Sequence, residues 1–164
     1  MMPPRGLAAY GDLVSARLLV VHHTPSPAMQ EVLESVLAGT RAEGIDGVEV
    51  DVHPALSATA SDLLAADGVL LGTPANIGYM SGAMKHFFDT VYYPTLTAKS
   101  GLPYSYWLHG NNDVEGARRA IESITGALGW TLAAKPLTVT GVVDRAVRDA
   151  AEELGATLAA TVMG

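Results

Sequence analysis

Short apolar runs alternate with segments of helical periodicity from residue 17 to the end of the sequence. The first run, residues 18–21, is continuously apolar, as a strand covered on both faces requires. Five such strand-and-helix units predict an α/β fold of three layers, with helices on both faces of a doubly wound, five-stranded parallel sheet. Apolar and acidic residues alternate over residues 48–52, which favours an edge position for the second strand. The pattern therefore predicts the strand order 2-1-3-4-5.

The expected elements can be placed from periodicity and from capping residues. Gly72 is expected to stop the third strand, Pro94 to close the third helix, and Asp113 and Gly129 to cap and stop the fourth helix. Strands are predicted at residues 18–21, 48–52, 69–71, 104–108 and 132–140, and helices over 29–37, 61–66, 80–91, 114–128 and 143–158. Residues 1–16 have no sustained period and are predicted to be an N-terminal tail outside a single domain of residues 17–164.

Composition excludes several classes of protein. The net charge of −7, from 10 basic and 17 acidic residues, argues against a nucleic-acid partner. The absence of cysteine excludes disulfides, zinc–thiolate sites, iron–sulfur clusters and cysteine nucleophiles. The first apolar run is too short for a signal-peptide core or a membrane span, which takes about 20 residues. The five histidines do not have the spacing that metal ligands need. We expect a soluble cytoplasmic domain with no membrane partner and no metal.

Ligands of doubly wound sheets bind where the strands end at their carboxyl side, which directs attention to loops 22–28, 73–79 and 109–113. In the first loop, Thr24 and Ser26 offer hydroxyl groups beside a helix N-terminus, a combination suited to a phosphate. Ser26 also fits the N-cap position, with Pro27 as the first helical residue. The two interpretations are compatible. The loop has no G-x-G-x-x-G and no P-loop pattern, so neither nucleotide-binding fingerprint is present.

The second and third loops carry groups suited to a flat ligand. Glycines in the second loop permit close approach of the backbone, Asn76 can bond a polar ring edge, and Tyr79 can stack on a ring. The apolar residues of the following helix, such as Met84, are predicted to be core. The third loop can bind a ligand or be no more than a turn capped by Asp113. Of the histidines, His23 and His109 are the best placed to touch a ligand.

Residues 72–89 carry the pattern G-T-P-x-x-x-G-x-M-x-G-x-M-K-x-F-x-D. In this pattern the sequence resembles the flavodoxin-like superfamily and, within it, the NAD(P)H:quinone oxidoreductase and FMN reductase branch. The resemblance covers roughly residues 17–162. The matching positions are Gly72, Thr73, Pro74, Gly78, Met80, Gly82, Met84, Lys85, Phe87 and Asp89.

The resemblance implies a bound FMN, with NAD(P)H as the electron donor and the second loop wrapped around the flavin ring. The family's phosphate loop is S-x-T-G-x-T; Thr24 and Ser26 match its first two hydroxyl positions, Pro27 replaces the glycine and Met29 replaces the final threonine. The predicted cofactor-binding residues are His23, Thr24, Ser26, Ala28, Met29, Thr73, Pro74, Ala75, Asn76, Gly78, Tyr79, His109, Gly110, Asn111 and Asp113. No side chain is assigned as a catalytic acid or base, because the flavin carries the chemistry.

The implied activity is hydride transfer from NAD(P)H to the flavin, followed by electron transfer to a quinone or similar small-molecule acceptor. Two alternatives remain open. One is a non-enzymatic electron carrier, and the other is a module that has lost its cofactor and binds a partner. A response regulator is disfavoured, because His22 and His23 occupy the place of its acidic cluster. A homodimer or tetramer is expected, and the aromatic residues Tyr79, Tyr92, Tyr93 and Trp107 belong either to its interface or to the ordinary core and rim.

Overall fold

The computed structural model describes residues 16–164, and most of the predicted tail therefore lies outside the described residues. Ala16, the last residue assigned to that tail, is the first residue of strand β1. The strands are β1 (Ala16–His22), β2 (Val48–Pro54), β3 (Gly68–Asn76), β4 (Tyr79–Met80), β5 (Pro103–Gly110), β6 (Thr131–Leu132) and β7 (Leu137–Thr140). The helices are α1 (Pro27–Thr40), α2 (Ala60–Leu64), α3 (Gly82–Thr95), α4 (Glu115–Leu128) and α5 (Arg145–Met163).

The strands form one sheet in the order β2-β1-β3-β5, with β6 and β7 both paired to the outer edge of β5. All of these pairings are parallel, and only the two-residue strand β4 pairs antiparallel, with β3. If β6 and β7 are taken as one interrupted edge strand and β4 is set aside, the order is 2-1-3-4-5. The predicted three-layer fold is therefore confirmed.

Two hydrophobic clusters fill the spaces on either side of the sheet. One cluster joins the sheet to α2, α3 and α4, and contains Phe87, Phe88 and Ile121. The other joins it to α1 and α5, and contains Trp107 and Leu154. Alternate residues of β1 belong to the two clusters, because successive side chains of a strand point to opposite faces. The prediction that the helix after the second loop packs through Met84 into the core is confirmed.

Three predicted boundaries are wrong. Strand β3 does not stop at Gly72 but continues to Asn76, because the missing side chain of Gly72 leaves room for the ring of Trp107 from the neighbouring strand. Pro94 does not close its helix but lies inside α3, next to the C-terminal end, where only one backbone hydrogen bond is lost. The last predicted strand is interrupted at residues 133–136, a stretch that contains Pro136, which has no N–H to donate.

The predicted helix ends of the site loops are largely confirmed. Ser26 is the N-cap of α1 and Pro27 its first residue. Gly129 ends α4 in the left-handed conformation, with φ of 75°. The predicted cap of α4 is displaced by one residue, since Val114 is the N-cap and makes no side-chain cap bond. Asp113 still accepts a hydrogen bond from the N–H of Glu115 at 2.9 Å, so its carboxylate serves the same turn.

Helices α1 and α5 cross at two glycines. A Cβ on Gly39 would lie 1.9 Å from the carbonyl oxygen of Glu152, and a Cβ on Gly155 would lie 2.0 Å from that of Val36. Each helix thus places a glycine against the backbone of the other. Within residues 16–164, no helix is long and apolar enough to cross a membrane.

Candidate functional site

The carboxyl ends of β1, β3 and β5 lie side by side, and the three predicted site loops leave the sheet there. In the parallel registers, His22 pairs with Gly72, and Pro74 pairs with His109. The N–H of His23 donates to the carbonyl oxygen of Gly72 at 2.9 Å, which holds the first loop against the strand of the second. The structure therefore brings the loops that contain the predicted cofactor-binding residues to one edge of the sheet.

The first loop is held by its own hydrogen bonds. The hydroxyl of Thr24 lies 2.8 Å from Nδ1 of His22, and Ser26 accepts a hydrogen bond from the N–H of Met29 at 3.2 Å. Burial lowers the pKa of His22, and the neighbouring His23 lowers it further. The side chain of Met29 is fully buried against the sheet, so it belongs to the core and does not face a ligand. Of the predicted residues here, His23, Thr24, Ser26 and Ala28 remain partly exposed.

Thr73 anchors the second loop rather than lining its surface. Its side chain is fully buried, and its hydroxyl accepts a hydrogen bond from the N–H of Ser81 at 3.0 Å. Ser81 in turn caps α3 by accepting from the N–H of Met84 at 3.1 Å. Pro74 is also buried, next in the strand. In this loop, only the residues that follow Pro74 have side chains exposed enough to contact a ligand.

A tight hairpin forms the tip of the second loop. Asn76 pairs with Tyr79 across a two-residue turn, in which Ile77 has φ of 48° and Gly78 has φ of 74°. Positive φ at both turn residues is the type I′ arrangement that suits the twist of paired strands. A Cβ on Gly116, in the first turn of α4, would lie 1.9 Å from the carbonyl oxygen of Gly78. Close contact of the two backbones thus fixes the hairpin against α4.

Sequence reasoning missed Ile77. Its side chain is fully exposed, and it is the only residue other than glycine with positive φ among residues 16–164. A β-branched residue in this conformation is an outlier. The signal that was available is an isoleucine directly before a glycine in a two-residue turn, where asparagine or aspartate is usual. Asn76 and Tyr79 beside it are also exposed, so the hairpin presents one amide and two apolar side chains together.

The third loop is tied to a fourth that the sequence analysis did not consider. His109 Nε2 lies 2.7 Å from the carbonyl oxygen of Gly141, and the N–H of Gly141 donates to the carbonyl of Gly110 at 2.8 Å. Residues 141–143 thereby stand beside the third loop, with the side chain of Val142 83% exposed. Position alone could have found this loop, because it follows the last strand at the same end of the sheet.

The polar residues of the third loop differ in their roles. Asn111 and Asp113 are exposed, whereas Gly110 is buried and a Cβ there would lie 3.1 Å from a methyl carbon of Val114. Behind the loop, Arg118 forms ion pairs with Glu115 at 2.7 Å and Glu122 at 3.0 Å. These ion pairs direct Arg118 along the surface of α4.

The residues of this edge fit a flat ring better than they fit a phosphate. The fixed hairpin offers Asn76, Ile77 and Tyr79 to a ring with polar edges, and the third loop adds Asn111. The helix N-terminus suits an anion, but part of its donor set is already used by Ser26.

Among the described residues, the indole N–H of Trp107 is buried without a hydrogen-bond partner. No group of three or more potential metal-ligating side chains occurs in residues 16–164.

Comparison with solved structures supports the fold independently. A flavodoxin from the domain Archaea superposes with a TM-score of 0.78 over 90% of this chain and 99% of that one, at 18% sequence identity. At this identity the likeness concerns the fold alone. It extends over nearly the whole of the described structure.

Two curated relatives match part of the sequence. A flavodoxin from Aquifex aeolicus is 37% identical over 75 residues, which are 46% of this chain and 40% of that protein. An NAD(P)H dehydrogenase (quinone) from Acidithiobacillus ferrooxidans is 27% identical over 45% of this chain and 46% of that protein. The matches thus span less than half the length of either relative.

The family comparison covers more of the chain. Residues 20–136 match the family described as NADPH-dependent FMN reductase. The match begins in β1 and includes all three predicted site loops, together with the hairpin that α4 holds in place. The chain therefore belongs to the NADPH-dependent FMN reductase family.

Proposed function

We propose that this protein binds FMN at the carboxyl edge of its sheet and passes electrons from NAD(P)H to a quinone or a similar small acceptor. The observation that carries the proposal is the hairpin of residues 76–79, whose side chains are exposed and whose turn is fixed by the contact between Gly78 and Gly116. A fixed, exposed edge of this kind suits a planar cofactor that must meet two substrates in turn. The family match and the relative named as a quinone dehydrogenase support the same reaction class.

In this proposal, the residues of the chain bind and orient the flavin. Asn76 bonds a polar edge of the ring, and Tyr79, which is 42% exposed, packs against its face. The N-terminus of α1, with Thr24 and Ser26, holds the phosphate end. FMN, when bound, supplies the hydride-accepting and electron-donating chemistry. Reduction of a quinone consumes one hydride equivalent and one proton, and the open loops allow solvent to deliver that proton without an acidic side chain.

The first experiment is an FMN titration of the purified protein, followed by flavin fluorescence and calorimetry. The proposal expects a dissociation constant at or below about 1 μM, equivalent to about −8 kcal/mol. Oxidation of NADH or NADPH with a quinone as acceptor then tests the enzyme. A folded protein, by circular dichroism, that binds no flavin would overturn the proposal and favour the module without a cofactor.

Two glycine variants of α4 make a matched pair for the site. Gly116→Ala puts a Cβ where the carbonyl oxygen of Gly78 now lies, so it should displace the hairpin and weaken FMN binding. Gly126→Ala adds the same methyl group to the same helix, where nothing lies within 4 Å. Equal FMN affinities in the two variants would contradict the assignment of the hairpin to the flavin.

A carrier that shuttles electrons without acting on NAD(P)H is the second candidate. The 37% identity to a protein named as a flavodoxin favours it, and so does the net charge of −7. The carrier predicts that the flavin-loaded protein does not oxidise NADH or NADPH, yet cycles when a flavodoxin reductase is added. Steady NAD(P)H oxidation with a quinone and no added reductase would exclude it.

We further propose a cytoplasmic homodimer or tetramer. The structure removes Trp107 from the residues considered for its interface, since this side chain is fully buried. Tyr93 is 81% exposed and stays a candidate. Light scattering of the eluting protein measures the oligomeric state directly, and a monomer at all concentrations would contradict this part of the proposal.

A further inference from the structure

The first turn of α1 offers few free backbone donors to an anion. Besides the N-cap, the first three residues of an ordinary helix each present an N–H with no partner inside the helix, and such groups bind phosphates. Here the first of them is missing, because Pro27 has none. The third, that of Met29, is bonded to Ser26 at 3.2 Å. Of these three N–H groups, that of Ala28 alone is neither absent nor held by the cap.

The hydroxyl groups and charges near this turn do not make up the difference. Thr24 already shares a hydrogen bond with His22 at 2.8 Å, and burial lowers the pKa of His22, so its ring is protonated less readily than that of an ordinary histidine. Arg148 reaches α1 from α5, but it lies 3.9 Å from Glu31, whose carboxylate offsets its charge. The side chain of Met29, where the family motif has a hydroxyl, is buried in the core.

The part of the site proposed to bind the flavin ring loses no comparable set of contacts. The hairpin of residues 76–79 is held by backbone contact with Gly116, and its side chains are already exposed. Preorganised contacts retain most of their binding energy, because little order has to be gained on binding. The balance of binding energy is therefore shifted from the phosphate toward the ring.

We propose that Pro27 is a specificity-determining residue that reduces the contribution of the phosphate, so that the protein discriminates only weakly between FMN and riboflavin. The inference rests on the proposed flavin-binding function and deepens it. FMN and riboflavin differ only in the phosphate. Their dissociation constants should therefore lie within about a hundredfold of each other, a difference that corresponds to one or two charge-assisted hydrogen bonds. A full set of phosphate donors would separate them by more than about a thousandfold on the same scale.

The test compares FMN and riboflavin titrations of the wild-type protein and of Pro27→Ala. Alanine restores an N–H at the first helical position and keeps good helix propensity. We expect the FMN affinity to rise about tenfold, as one added charge-assisted bond predicts, with the riboflavin affinity unchanged. Pro94→Ala is the matched control, because Pro94 also lies in a helix and is exposed, but on α3. Pro94→Ala should leave the ratio of the FMN and riboflavin affinities the same as in the wild-type protein.

The outcomes separate the inference from the function on which it rests. A wild-type ratio above about a thousandfold would overturn the inference alone, and this result does not depend on any variant folding. So would a folded Pro27→Ala protein whose ratio is unchanged. Failure of both flavins to bind the folded wild-type protein would overturn the proposed function and the inference together.

Discussion

The indole ring of Trp107 lies directly over the α-carbon of Gly72 on the neighbouring strand. A Cβ at Gly72 would be 2.0 Å from two atoms of that ring. Because Trp107 is fully buried, the ring has no free direction in which to move. Gly72→Ala should therefore lower the free energy of unfolding by about 2 kcal/mol or more, as overpacking of a core does. Urea denaturation measures the loss.

The control for this substitution is Gly126→Ala. Nothing lies within 4 Å of a Cβ at Gly126, and replacing a glycine inside an exposed helix by alanine should raise stability by about 0.5–1 kcal/mol. The two variants are expected to move the midpoint of unfolding in opposite directions. A Gly72→Ala protein as stable as wild type would show that the packing of Trp107 is not as tight as described.

Ile77 stores conformational energy at the tip of the hairpin. Its left-handed backbone costs roughly 1–2 kcal/mol for a residue other than glycine, asparagine or aspartate, and its exposed side chain gains no packing in return. Ile77→Asn should therefore stabilise the protein by about 1 kcal/mol in urea denaturation. If Ile77 contacts the flavin or the acceptor, the same variant should bind FMN or quinone more weakly. Leu56 is a suitable control, because its side chain is 64% exposed and its φ is not positive. Leu56→Asn should show no such gain in stability.

His22 should make stability depend on pH. Burial lowers its pKa in the folded protein below the ordinary value of 6.5, with His23 contributing in the same direction. The unfolded chain then binds the proton more readily, so stability should be constant above about pH 6.5 and fall as the pH drops below it. Urea denaturation between pH 7.5 and pH 5 measures the slope. His22→Asn should flatten it, whereas His86→Asn, at an exposed histidine, should leave the slope due to His22 in place.

His109 should act on the fourth loop through its hydrogen bond to Gly141. His109→Leu removes the donor and leaves that carbonyl group unpaired, so the protein should lose about 1 kcal/mol of stability. The N–H of Gly141, bonded to Gly110 at 2.8 Å, should then exchange with solvent faster in hydrogen-exchange measurements. His109→Gln keeps a donor on the side chain and should behave more like wild type. Identical exchange at Gly141 in both variants would argue against the tether.

The fold could be predicted because its main signals are local. Continuous apolar strands such as residues 18–21 and the helical spacing after them specify a parallel sheet with two covered faces. The errors arise where a distant residue decides the outcome. Gly72 suggests a strand end by its own preference, and only Trp107, from another strand, explains why the backbone continues. Nothing in the neighbouring sequence carries that information.

The candidate site was predicted as three loops, and the structure places those loops along one edge. Individual side chains were harder to assign. Alignment with a motif puts Thr73 and Met29 at the expected site, but it does not specify that both side chains point into the protein. The contact between Gly78 and Gly116 joins two loops far apart in the sequence, so no single motif could reveal it.

The two glycines at the crossing of α1 and α5 have a consequence for synthesis of the chain. Gly39 leaves the ribosome long before Glu152, the residue whose backbone it must meet. Until then, the face of α1 that contains Val36 has no permanent cover, and this helix carries the first loop at its other end. The first loop is thus among the earliest described segments to be made, yet it leads into a helix whose packing is completed only when α5 arrives.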